Sequence, residues 1–129
     1  MKYSSSFTYD LSIGEIGEDW VNEMFNGKQL IEVKTDRIAH KTGNIFIEYE
    51  SRGKPSGLAT TTANYWIYRL EEIDTGIIIS VKNLKEICRI FYKNKQYLKT
   101  GGDSNTSKGF LIPIKEIIKS ISEKNNTTT

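Results

Sequence analysis

A chain of 129 residues, 37% hydrophobic and 26% charged, is long enough for one compact domain with its own core and too short for two. Its single cysteine, Cys88, excludes an internal disulfide, and the lack of CxxC or Cys/His groupings excludes a structural zinc site, so any bound metal is held by oxygen. No apolar run approaches the roughly 18 residues that span a bilayer, and the opening MKYSSSFTYD lacks the apolar stretch of a secretory signal; a cytoplasmic protein with no membrane partner is expected.

The first element in chain order is an amphipathic helix over residues 13–26. It places Ile13, Ile16, Trp20, Val21, Met24 and Phe25 at helical spacing and stops at Asn26-Gly27. Strands are predicted at about 29–36 and 44–51, joined as a hairpin through Thr42-Gly43-Asn44. The Gly-, Ser- and Pro-rich SRGKPSGLATTT reads as a loop whose threonines cap a helix from about Thr61 to Leu70. The apolar run GIIISV (76–81) suits a strand buried on both faces, and Leu84, Ile87, Cys88 and Phe91 fit a further helix. Residues 99–108 are expected as a loop, followed by a short edge strand in GFLIPI because of Pro113, and then a helix over 114–121. The expected domain is 1–124, with 125–129 a disordered tail.

Charge is unevenly spread along the chain. Residues 1–74 carry 8 basic against 12 acidic residues, and residues 75–129 carry 10 against 4, so an acidic half precedes a basic one that offers a polyanion a surface. The acidic half concentrates its charge in IEVKTDRIAHKTGNIFIEYE (31–50). Strand alternation puts Glu32, Lys34 and Asp36 on one face of the first run and Phe46, Glu48 and Glu50 on one face of the second. Carboxylates at that density repel one another, and a divalent cation between them removes the penalty.

A helix with a polar glutamate, a strand ending in aspartate, a second strand bearing an ExK variant, then a helix and an apolar strand together resemble the PD-(D/E)XK nuclease superfamily. More narrowly, EVKTD, TGNIFIEYE and GKPSGLATTTANYW look like its small phage and bacterial members, over roughly Ile13 to Val81. The resemblance implies an α/β fold with a mixed central sheet flanked by helices, a restriction-endonuclease-like core (α-β-β-(β)-α-β), and Mg²⁺- or Mn²⁺-dependent hydrolysis of DNA phosphodiesters. On it, Asp36 matches the family's aspartate and Glu48 its first motif glutamate, with eleven residues between them. The motif lysine two residues later is Glu50 here, as in some restriction enzymes of the superfamily; Lys34, on the strand face of Asp36, is the best substitute. Glu18 resembles the first-helix glutamate that helps hold the metal, and Glu15 is the other candidate on that helix. A second alignment takes Glu32-Val33-Lys34 as the ExK motif, which leaves only Asp10 upstream, in the wrong place.

The expected catalytic set is therefore Lys34, Asp36, Glu48 and Glu50, with Glu18, Asp36 and Glu48 as metal ligands. Lys41, Arg52, Lys54 and Thr61 are the expected DNA contacts: the bend after Glu50 brings backbone close to a phosphate, and a helix starting near Thr61 adds positive charge. The expected partners are DNA and a second copy, since cutting both strands needs two sites, in a bacterial host cell. Beside this stands a catalytically inactive nucleic-acid- or protein-binding module on the same fold. His40 reads as a surface or phosphate-contacting side chain, Cys88 as a small core residue, and Trp20, Tyr65, Trp66 and Tyr68 as core aromatics.

Overall fold

Seven strands and four helices make up residues 2–101 and 106–127, which the computed structural model describes. In order they are α1 (Lys2–Asn26), β1 (Ile31–Asp36), α2 (Ala39–Thr42), β2 (Asn44–Ser51), β3 (Lys54–Pro55), a 3-10 turn (Gly57–Ala59), β4 (Tyr65–Leu70), β5 (Thr75–Ser80), α3 (Val81–Tyr92), a second 3-10 turn (Lys95–Tyr97), β6 (Leu98–Gly101), β7 (Ser107–Pro113) and α4 (Ile114–Thr127). The class is α/β, with two sheets instead of the one expected. A three-stranded mixed sheet has the order β1-β4-β5, and a four-stranded antiparallel sheet the order β3-β2-β7-β6.

Three expectations give way. The predicted hairpin does not form: β1 pairs in parallel with β4, while β2 joins β3 and β7 in the other sheet. The segment between them folds as α2 instead and ends at Gly43, whose φ of 74° suits glycine and whose N–H bonds Ala39 O at 2.7 Å. The predicted helix from Thr61 to Leu70 is strand β4. Its YWIYRL is aromatic and branched, and alternation buries Trp66, Tyr68 and Leu70 on one face; that side-chain set fits a pleated surface between two neighbouring strands better than a helix. Finally, Leu98–Gly101 forms β6 inside the expected loop, which makes β7 a central strand with Pro113 at its last position, where a missing N–H is tolerated. At the chain end, α4 runs through Thr127 into the expected tail, and residues 128–129 lie outside the described residues.

The core lies between the sheets and α3 and α4. Ile45, Ile47, Trp66, Tyr68, Ile79, Leu84, Ile87, Phe110, Ile112 and Ile117 form one buried cluster. Helix α3 starts at Ser80, whose Oγ accepts from Asn83 N at 3.1 Å, and buries Leu84, Ile87, Cys88 and Phe91 along one stripe. Helix α1 behaves differently. Of its described side chains only Met24 is buried, and Phe7, Leu11, Ile16 and Phe25 are each more than half exposed. No helix among the described residues is long and apolar enough to cross a membrane.

Burial pushes the Cys88 thiol from its ordinary 9.0 up to about 12. A native pKa raised above the unfolded one means that the unfolded chain sheds this proton first as pH rises, so stability is complete below pH 9.0 and declines from there toward about 12. Cys88→Ala is expected to flatten the alkaline fall in stability by up to about 1.4 kcal/mol per pH unit, read from urea melts between pH 8 and 11. An unchanged slope would contradict the assignment.

Candidate active site

Residues paired across a sheet share a face, and the register of β1 with β4 sets Glu32 beside Trp66, Lys34 beside Tyr68 and Asp36 beside Leu70. The three charged side chains of β1 therefore lie on the face that β4 turns toward the second sheet. On β2, Ile45 and Ile47 are fully buried, while Phe46 and Glu48 point the other way, opposite Leu111 and Gly109 of β7. A cleft of about 620 Å³ forms between the two sheets, lined by Lys34, Asp36, Phe46, Glu48, Trp66 and Tyr68 together with Lys99, Gly101 and Leu111. Asp36 and Glu48 thus share one cavity, across two sheets and not on adjacent strands.

Each acid is held by its own neighbours. Asp36 Oδ1 accepts from the backbone N–H of Ile38 at 3.0 Å and of Ala39 at 2.7 Å, which fixes the carboxylate at the end of β1 and leaves the lone pairs of Oδ2 to offer. Glu48 Oε2 accepts from Ser56 Oγ at 3.0 Å. Gly57 backs directly onto Glu48: a Cβ there would stand 2.3 Å from Glu48 O, and its φ of 53° is itself unfavourable for side-chain-bearing residues. The GKPSG bend therefore serves to seat Glu48.

The cations differ in their freedom. Lys34 Nζ pairs with Glu32 Oε2 at 3.0 Å and lies 5.3 Å from the centre of the Trp66 ring. Glu32 is braced in turn by Thr61, whose hydroxyl donates to Glu32 Oε1 at 3.3 Å and accepts from Trp66 Nε1 at 3.3 Å. Lys99 on β6, with no ion pair among the described residues, is a cleft cation that the sequence reading did not single out as a site residue. The sequence marks it only as part of the basic second half, because its strand is short and polar.

Other expected site residues fall elsewhere. Glu50 is not part of the cleft: β2 carries a bulge between Glu48 and Glu50, whose partners Gly109 and Lys108 are adjacent on β7, so the two glutamates face opposite sides. Its carboxylate pairs with Lys108 Nζ at 3.4 Å. Glu18 lies on exposed α1 beside Ile13, Gly14 and Val21, and is not brought to Asp36 and Glu48; Glu15 is exposed on the same helix. Lys41 is exposed on α2, and Arg52 and Lys54 are exposed around the β2–β3 turn, Arg52 with φ 52°. Thr61 is spent on Glu32 and Trp66, and no helix begins there, so the expected helix-terminus phosphate site is absent. His40 lies near Glu72, with Nε2 at 3.7 Å from its carboxylate.

Tyr68, expected as a core aromatic, is 1% exposed and lines the cleft, and its hydroxyl has no hydrogen-bond partner among the described residues. Burial first, then Cys88 and the Asp36 and Glu32 carboxylates, push the phenol well above its ordinary value, so it remains a protonated donor at neutral pH.

Among the described residues no three His, Cys, Asp or Glu side chains cluster as a ready metal site. Two carboxylates remain the donor set that Mg²⁺ accepts, with waters and a substrate phosphate filling the other positions. No known protein family, curated protein or solved structure matches the chain.

A buried hydroxyl without an acceptor costs about 1–3 kcal/mol. Tyr68→Phe is accordingly expected to raise the melting temperature by a few degrees, through about 1 kcal/mol of relieved desolvation, while lowering any activity housed in the cleft. Calorimetry that shows destabilisation would mean the hydroxyl is satisfied in solution.

Proposed function

We propose that the protein is a Mg²⁺- or Mn²⁺-dependent endonuclease that hydrolyses DNA phosphodiesters in the cleft between the two sheets. The observation that supports this reading is that Asp36, Glu48, Lys34 and Lys99 all line one cavity. Asp36 and Glu48 are the residues that would hold the ion. The chemistry such an ion supplies when bound is neutralisation of the scissile phosphate and acidification of a water.

The chain's own groups do the rest. Backbone amides fix Asp36, and Ser56 fixes Glu48, so neither carboxylate has to be ordered when substrate arrives. Lys99 presents an ammonium to the phosphate oxygens, where charge accumulates as water adds to phosphorus. Lys34, already partnered by Glu32, acts as the positioned cation beside Asp36 in place of the missing motif lysine. Arg52, Lys54 and Lys41 extend the positive surface outward as backbone contacts that carry no sequence information.

The functional unit is proposed to be a homodimer. Helix α1 exposes Phe7, Tyr9, Leu11, Ile13, Ile16, Trp20, Val21 and Phe25, more large apolar surface than a lone monomer ordinarily leaves in water. Among the described residues α1 reaches the isoleucine-rich groove at Ile114, Ile117, Ile118 and Ile121 of α4 only through Trp20, which stands edge-on to Tyr65. The rest of the apolar surface of α1 is what a second copy of this chain would cover.

One observation favours the non-catalytic module: the motif-lysine position is a glutamate paired with Lys108 on the opposite side of β2. Incubation with supercoiled plasmid and with branched DNA separates the two readings. Nicking in Mg²⁺ or Mn²⁺ that EDTA stops, and that falls by about 10² or more in Asp36→Asn and Glu48→Gln with binding retained, is the expected result. A mobility shift with no cleavage in any metal would reject the enzyme in favour of the module. For the dimer, light scattering is expected to give twice the monomer mass, and Ile16→Asp half of that; a monomeric wild type would refute it.

A further inference from the structure

A second cavity, of about 470 Å³, shares no lining residue with the cleft. It is bounded by Tyr49 of β2, Phe110 of β7, Leu58 of the first 3-10 turn, and Cys88 and Tyr92 of α3. Its rings meet at angles: Tyr49 and Phe110 stand 5.3 Å apart, Tyr49 and Tyr92 6.4 Å, and Tyr92 and Phe110 6.3 Å. Phe110 is buried, yet Tyr92 is 59% exposed, a large aromatic left in water at the cavity mouth.

Lys85 and Arg89 of α3 and Lys93, the residue that caps its C-terminus, line the same cavity four residues apart and so on one side of the helix. None of the three is ion-paired among the described residues, and no carboxylate lines the cavity. The Cys88 thiol, held protonated by burial, adds no negative charge. An aromatic, apolar floor beside three uncompensated cations, spaced about 6 Å apart along the helix axis, complements a ligand with a flat apolar body and regularly repeated anions. That is the make-up of single-stranded nucleic acid, which such proteins hold by stacking bases on aromatic rings and steering phosphates along basic side chains.

We propose that this cavity binds an unpaired nucleotide of single-stranded DNA, its base among Tyr49, Tyr92 and Phe110 and its phosphates against Lys85, Arg89 and Lys93. The proposal rests on the reading of the chain as a DNA-handling protein and specifies the form of DNA it engages: a strand with an unpaired stretch or end. The cavity and the cleft are linked through shared elements. β2 gives Glu48 to one and Tyr49 to the other, and the segment that seats Glu48 with Ser56 and Gly57 continues into Leu58 and Ala59 at the cavity wall.

The test is fluorescence anisotropy in EDTA with a labelled dT12 strand, a 12-base-pair duplex and a 12-nucleotide abasic strand. The expected result is that dT12 binds at least fivefold tighter than the abasic strand, and that Tyr92→Ala, at an exposed position that tolerates truncation, removes most of this preference. Arg89→Gln and Lys93→Gln are expected to weaken both strands alike and each to lower the salt slope by about 0.7. Equal affinity for dT12 and the abasic strand, tighter binding of the duplex, an unaltered preference in Tyr92→Ala, or oleate binding with no binding of dT12 would each overturn the proposal. Because the assay holds no metal, the two readings fail separately: base-dependent binding without plasmid nicking would sink the nuclease alone, and nicking without base dependence would sink this site alone.

Discussion

One oxygen of the Asp36 carboxylate sets the path of the chain. Oδ1 takes the N–H groups of Ile38 and Ala39 and so turns the chain at the end of β1 into α2, from which β2 enters the other sheet. Had the chain reversed as a simple hairpin, Asp36 and Glu48 would have stood side by side in one sheet, with no cavity between them. Because the turn carries the chain across, the two acids line one cleft between the sheets. The cleft therefore depends on a local contact within four residues, and a substitution at Asp36 acts on chain path as well as on charge, which is why the isosteric amide is the informative change.

Around that turn, the side chains that define the cleft are set by what backs them. Phe46 reaches over Gly109 and Gly101, where a Cβ would stand 2.7 Å and 3.2 Å from its Cζ, so β7 and β6 are kept bare beneath the ring. The Trp66 indole, the Thr61 hydroxyl, the Glu32 carboxylate and the Lys34 ammonium form a relay of donors and acceptors that ties β4 to β1 and limits where Lys34 can go. Such bracing trades mobility for placement, the usual requirement where charge must be aimed.

Much of this was legible in the residues, and what was not has identifiable causes. Alternation in IEVKTD and NIFIEYE placed both strands and put Lys34, Asp36 and Glu48 on the faces they occupy. Periodicity does not separate helix from strand in TANYWIYRL, because Trp66, Tyr68 and Leu70, at spacings of two and four, satisfy both patterns; the decision comes from the neighbouring strands β1 and β5, which no local window contains. A hairpin is expected where α2 forms because Thr-Gly-Asn offers the same turn chemistry to a helix end as to a strand reversal. Lys99 stands in the sequence only as one of the ten basic residues of the second half, since LKTG pairs through its backbone and lacks any apolar rhythm.

The bulge in β2 has a consequence for how this cleft relates to others. A strand has a period of two, so one inserted residue reverses the phase of everything beyond it. Here the bulge carries Glu50 to the opposite surface, where Tyr49 packs against Phe110. With the same residues in regular register, Tyr49 would oppose Lys108 and Glu50 would oppose Ser107, which returns the third acid to the side of Glu48. Pairing at one position thus separates a two-acid chamber from a three-acid one.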